Sequence, residues 1–232
     1  MATGTNTPVL GQDQPGQVLG TTQVRIRERA AWQVDGFVGL AVAILLGALG
    51  IWAFVLSETE ASVAAAVFGV LASIAAMLIL GSLTIIQPGQ TRVIQFFGRY
   101  VGTARRTGLV WLLPLTTRRD VSVRVRNFET ARLKVNDATG NPVEIAAIVV
   151  WQVADTARAT FAVERYDDFI TMQAEAAVRH VAVAYPYDGP SGEESLRGST
   201  DLVSAELASE VAARVGVAGL EIIEVRISHL AY

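Results

Sequence analysis

Two histidines, two adjacent carboxylate pairs and one polar turn are the side chains of this chain that could act on a substrate or hold an ion. His180 and His229 are the candidate general bases, and Asp167-Asp168 and Glu193-Glu194 the candidate acid–base pairs. The turn Asp137-Ala138-Thr139-Gly140-Asn141 could gather oxygens round a cation. His180 falls late in a helical pattern, where an imidazole complements the helix dipole, and His229 reads as a surface residue. Asp167-Asp168 opens the same helix, Glu193-Glu194 lies in a loop, and the Asp137 turn lacks the ligand spacing of an EF-hand. No HExxH, GxSxG, P-loop or GxGxxG pattern is present. Cysteine is absent, which excludes a thiol nucleophile, a zinc–thiolate site, a disulfide and a palmitoylated cysteine. The sequence therefore predicts no catalytic residue, no cofactor and no metal, and a chain that is not an enzyme.

Arginine offers a different chemistry. Between Gln87 and Lys134 ten Arg and Lys residues are opposed only by Asp120 and Glu129; from Val135 to Tyr232 six Arg stand against fifteen Asp and Glu. An anionic leaflet attracts nearby basic residues by about 1 kcal/mol each. The basic stretch is either a surface on lipid headgroups or a solvated, Arg-rich strand face. It is not interleaved with aromatics as in a known nucleic-acid module, so no nucleic-acid partner is predicted. Within it, Leu109 to Leu115 is uninterrupted apolar sequence bracketed by Arg105, Arg106, Arg118 and Arg119. Such a segment is a loop dipping into the headgroup boundary or a buried strand. The candidate membrane-contact set is Arg105, Arg106, Leu109, Trp111, Leu112, Leu113, Arg118 and Arg119.

What would position that set is a pair of apolar runs, Gly36 to Leu56 and Ala61 to Ile86, separated by Ser57-Glu58-Thr59-Glu60 and free of Asp, Glu, Lys and Arg. A hydrocarbon core about 30 Å thick needs roughly 20 apolar helical residues, so residues 31–86 read as a transmembrane helical hairpin; a shallow re-entrant hairpin is the competing picture. Residues 1–30 form a basic tail predicted to be disordered, with Arg25, Arg27, Arg29 and Trp32 near the membrane entry. The linker is acidic and both flanks are Arg-rich, which places both termini in the cytoplasm of a two-helix, multi-pass cell-membrane protein. Small residues recur every fourth position, at Gly39, Ala43 and Gly47 in the first run and at Ala61, Ala65, Gly69 and Ser73 in the second. That spacing lets helices approach closely in lipid, the partner being the other helix or a neighbouring subunit.

Residues 87–232 suit one domain, with a basic, membrane-proximal half at 87–135 and an acidic, distal half at 136–232. Thr91–Phe97 and Val121–Phe128 alternate as strands, and Val143–Val153 is a long β-branched run. A hairpin pairing Ala131–Val135 with Val143–Val149 is expected. Phe169, Ile170, Gln173, Ala177, Val181 and Ala184 share a helical face that Pro186 ends. A second helix begins near Ser199 or Thr200, carries Val203, Leu207, Val211 and Val215, and stops at Gly216. Leu220–Ile227 is a last strand. Strands, two helices and a strand make an α+β domain, an antiparallel sheet with helices packed on it.

Gln87-Pro88-Gly89-Gln90, Phe96-Phe97-Gly98-Arg99-Tyr100, Gly102-Thr103 and Gly108-Leu109-Val110-Trp111-Leu112-Leu113-Pro114 follow in that order. With Gly140 to Ile145, Val150 to Val153, Tyr166 to Arg179 and Glu221 to Ile227, the sequence resembles the SPFH or Band 7 domain of stomatins, prohibitins, flotillins and HflK/HflC over nearly all of Ile85 to Tyr232. The paired membrane helices favour a bacterial stomatin-like branch. The resemblance implies a homo-oligomeric membrane scaffold that organises microdomains and client proteins in contact with lipid. It also implies an alternative, an accessory regulator of an FtsH-type ATP-dependent membrane protease or a partner of an NfeD-like protein. In the family, ring and cage assembly leans on a long helix after the position of His229-Leu230-Ala231-Tyr232, where this sequence stops.

Overall fold

The computed structural model describes residues 26–60, 62–189 and 194–232. The tail up to Arg25, the small residue Ala61 and Glu193 of the loop carboxylate pair lie outside the described residues.

After a two-residue strand β1 (Val34–Asp35), helix α1 runs Gly36–Glu60 and helix α2 Val63–Ser82. Asp35 caps α1 by accepting the Phe37 N–H at 3.0 Å, and Ser62 caps α2 by accepting the Ala65 N–H at 3.4 Å. Ser57 to Glu60, expected as a linker, continue α1. At about 1.5 Å per residue α2 measures about 30 Å, the thickness of a hydrocarbon core. Ile51, Leu71 and Met77 all turn outward, and Met77 is 77% exposed. Apolar side chains exposed round a whole helix suit lipid as solvent.

The second apolar run does not stay helical to its end. Leu83–Ile86 forms strand β2, because its register with the later strand β5 (Gly108–Trp111) buries Thr84 and Ile86 and gives the backbone a ladder. β5 also pairs with β1, so the small sheet is ordered β1-β5-β2. Between them lie β3 (Gln90–Phe96) and β4 (Arg99–Ala104); with β6 (Thr116–Ser122) they form a second sheet, β4-β3-β6. Ile86, Ile94, Ala104, Val110, Leu112 and Ala31 fill the space they enclose.

The expected strand Val121–Phe128 breaks at Val123–Val125, where the chain changes sheets. β7 (Arg126–Glu129) and β8 (Leu133–Asn136) both pair with β9 (Pro142–Val153), in the register Phe128↔Val149 and Val135↔Val143. The hairpin-proximal part thus ends at Ser122 rather than at residue 135. Arg126 and Lys134 belong to the distal sheet, and Arg132 lies in the link between β7 and β8. A short helix α3 (Thr156–Phe161), capped by Asp155, was not expected. Helices α4 (Tyr166–Ala184) and α5 (Thr200–Val215) then pack over the sheet before β10 (Leu220–Ala231) closes it against β9. The buried face of α4 is Ile170, Ala174, Ala177, Val178, Val181 and Ala182. Ala184, expected on it, is exposed. Gly216 continues helically as a short 3-10 turn, and Gly219, at φ 69°, is the residue that ends it. Nothing caps α5 from the Ser199 side chain.

Candidate functional site

The arrangement that sets the hairpin on the domain begins with β5. Trp111 is opposite Val34 on one side and Leu83 on the other, so the two roots of the hairpin flank a single strand of the domain. Gly39, expected to pack helix on helix, faces this strand: a Cβ there would lie 2.9 Å from the Trp111 ring and 3.0 Å from Leu83. Trp111 also meets Trp32 edge to face, with ring centroids 5.8 Å apart. Trp32 precedes the first hairpin root, and Trp111 of β5 lies opposite Leu83 at the second.

Within the hairpin Gly69 backs onto Gly50, where a Cβ would come 2.9 Å from the Gly50 carbonyl oxygen; Ser73 donates to the Gly69 carbonyl at 2.8 Å and lies against Gly50. Ala43, Gly50 and Ala53 of α1 and Gly69, Ala72 and Ala76 of α2 are buried. The spacings in that set are seven and three residues in α1 and three and four in α2, the helical repeat rather than a strict step of four. A strict four-residue step turns about 40° too far each time, which is why a Cβ at Gly47 would meet nothing. Ala65 is half-buried near the turn.

The arginines divide by what holds them. Arg105 donates to both Glu28 carboxylate oxygens, at 2.5 and 2.9 Å, and to the Ala154 carbonyl at 3.0 Å. Arg106 pairs with Asp35 at 3.1 Å. Arg118 donates to the Ser82 carbonyl at 3.0 Å, at the C-terminus of α2, while its Nε is buried without a partner. Desolvation, with Arg92 nearby, lowers the Arg118 pKa from its ordinary value. Arg119 is exposed. In the apolar run Leu112 has no exposed surface, because its side chain enters the core between the two small sheets. It is therefore not a lipid contact. The run is strand β5 followed by a tight turn, with Leu109 and Trp111 half-buried and Leu113 exposed.

Residues 26–30, expected as the end of a disordered tail, are an arm laid along β4. Thr103 donates to the Arg29 carbonyl at 2.8 Å and accepts the Ala31 N–H through its own carbonyl at 3.0 Å. The arm comes close because Gly102 has no side chain; a Cβ there would stand 2.7 Å from Ala31. No periodic apolar pattern marks so short a segment. A cavity of about 380 Å³ beside the arm is lined by Glu28, Gln33, Thr103, Arg105 and Asp155.

The candidate catalytic groups do not converge. Asp167 pairs with Arg126 at 2.9 Å and Asp168 with Arg165 at 2.7 Å. His180 is exposed, and His229 stands 4.0 Å from Glu144. Among the described residues no three His, Asp or Glu side chains gather as a metal site. Asp137 is saturated: it accepts the N–H groups of Thr139, Asn141 and Tyr187 at 2.9, 2.7 and 2.9 Å. It joins the β8–β9 turn to the end of α4.

The family model described as SPFH domain / Band 7 family matches residues 84–232. The chain belongs to the Band 7 family. The match opens inside β2, where the polypeptide leaves α2, so the Band 7 domain begins at the hairpin root rather than after it. No curated protein matches the chain. The family is one of membrane-associated scaffold and regulator domains, and this Band 7 domain carries two helices long and apolar enough to cross a membrane.

Proposed function

We propose that this Band 7 protein is a non-enzymatic membrane scaffold, a homo-oligomer that organises a lipid microdomain and holds client membrane proteins in it. The observation that carries this reading is the pairing of both hairpin roots with β5. A flexible tether would let the domain wander; two ladders on one strand make hairpin and domain move together. Side-by-side assembly of such domains would then fix the spacing of their helices in the bilayer. The Arg-rich flanks favour the cytoplasmic side for the domain and both termini. We offer Arg106, Arg118 and Arg119, with Leu109, Trp111 and Leu113, as the domain's lipid contacts.

Extraction of the full chain in a mild detergent, followed by imaging of the particle, tests this. Self-assembled particles of many copies are the expected result. A monodisperse monomer in native-like lipid discs would sink the scaffold. A hexameric ATP-dependent protease in the same particle would favour the regulator reading instead.

A further inference from the structure

The distal sheet has one long free edge. Its order is β10-β9-β7, so β10 pairs with β9 on one side and, among the described residues, with no strand on the other. An unpaired edge presents a row of N–H and C=O groups that another backbone can match. Two register shifts divide this edge. Ile223 and Ser228 have no partner on β9, and Glu224–Ile227 is the regular stretch between them. Bulges of this kind keep an edge strand from pairing along its whole length. What they leave open on β10 is that short window.

A cavity of about 460 Å³ lies against the window. Asp201, Ser204, Ala205 and Ala208 of α5 form one wall, and Ile223 to Ile227 the other. Val203, Leu207 and Val211 turn the buried stripe of α5 to the core, which sets Asp201, Ala205 and Ala208 on the flank beside β10. Their side chains are short, so the helix does not fill the groove. Ile223, 50% exposed, adds apolar surface at the start of the window. A helix beside an open strand edge is the geometry in which an extended peptide adds a strand. The ladder gives affinity, and the groove selects alternate side chains.

Charge chooses the peptide. Asp201 and Glu221 are exposed, and neither has a basic partner among the described residues; Glu224 pairs with Arg226. The edge and its helix wall therefore carry carboxylates in excess. Cytoplasmic segments of membrane proteins are enriched in Lys and Arg. We propose that the β10–α5 groove takes an extended, basic cytoplasmic segment of a client membrane protein as an added strand. This deepens the scaffold reading and rests on its cytoplasmic placing of the domain.

The full-length chain in a mild non-ionic detergent is titrated with the fluorescent hexapeptide Lys-Val-Arg-Val-Lys-Val. Saturable binding below about 1 mM is expected, with slowed hydrogen exchange at residues 223–227. Ala205→Trp fills the groove and should weaken binding on the order of tenfold. Ala176→Trp, on the exposed side of α4, should leave it unchanged. Asp201→Asn should weaken it about two- to fivefold, and stands in for Ala205→Trp if circular dichroism shows that variant misfolded. The same peptide N-methylated throughout keeps its charge, loses the ladder and should not bind. Equal binding of the methylated peptide, failure to saturate in that range, or indifference to both groove variants overturns the proposal. Exchange at 223–227 that is already slow without peptide and unmoved by it would show the edge covered by a second copy, which also overturns it. Light scattering on the same samples separates the groove from the scaffold. A many-copy particle that ignores the peptide loses the groove alone; a monomer that binds it keeps the groove and removes the scaffold.

Discussion

Glu28 and Thr156, 128 positions apart, are hydrogen-bonded: the Glu28 carboxylate accepts the Thr156 N–H at 3.0 Å and its hydroxyl at 3.2 Å. Glu28 lies on the arm before the hairpin and Thr156 opens α3 of the distal lobe. With Arg105 between them, one carboxylate ties arm, hairpin-proximal sheet and distal lobe together.

Burial alone would raise the Glu28 pKa, but Arg105 and the Thr156 N–H outweigh it and hold the carboxyl below its usual range. A lowered carboxylate pKa stabilises the fold above the unfolded value, and that stabilisation is lost as pH falls through the folded one. Glu28→Gln should remove this acid limb and cost about 1 kcal/mol at neutral pH, after discounting for a half-exposed partner. Hydrogen exchange at Thr103 and Thr156 checks it. Exchange unchanged from the parent chain would mean that the arm is held by its backbone alone.

Periodicity and composition made the elements with strong local signals legible: the two apolar helices, β9 with its β-branched run, α4 and α5. What escaped were features set by distant partners. Leu83 to Ile86 read as more membrane helix because nothing local marks the pairing with β5. Glu28 is one acidic residue in a polar arm, and its partners are far off in sequence. Leu112 and Leu113 are the same residue type side by side, yet strand alternation buries one and exposes the other. Phe97 was visible only as part of a family-like motif; its positive φ, 46°, is a tertiary fact.

Asp137 is a second carboxyl held low. Burial would raise its pKa, yet the N–H groups of Tyr187 and Asn141, with the Thr139 and Asn141 side chains, bring it far below the ordinary range. Its contribution persists well into acid and fails only as pH drops through that low value. Asp137→Ala leaves those donors without their acceptor and should lower the unfolding midpoint of the distal lobe clearly more than Asp188→Ala, an exposed carboxylate paired with Arg197. Thermal scans of the two variants in the same detergent decide it. Equal midpoints would show that the turn holds without its aspartate.

Arg118 and Arg119 are neighbours with different duties. Arg118→Gln withdraws a charged donor from the C-terminus of α2, where a cation is worth about 0.3–1 kcal/mol, and should raise hydrogen exchange across Leu83–Ile86. Arg119→Gln should leave that exchange alone and reduce the anionic lipid that co-purifies with the chain. Native mass spectrometry of the retained lipid reads the second effect. Identical behaviour of the two variants in both measurements would remove the division between a structural and a headgroup arginine.

The hairpin offers a contrast between two glycines of one apolar pair of helices. At Gly69 a Cβ would press to 2.9 Å on the Gly50 carbonyl oxygen and 3.2 Å on the Phe54 nitrogen, both backbone atoms that cannot swing aside. At Gly47 it would meet nothing. Gly69→Val should therefore force the helices apart and cost about 1–3 kcal/mol, the range for overpacking a close contact. Gly47→Ala should be neutral or stabilising by up to about 1 kcal/mol through helix propensity. Cysteines placed at Ala53 and Ala72, both buried, report the helix spacing by disulfide yield. Yield should drop for Gly69→Val and hold for Gly47→Ala. If Gly47→Ala proved the more disruptive of the two in the assembled particle, its face would be packed against a neighbouring copy rather than lipid.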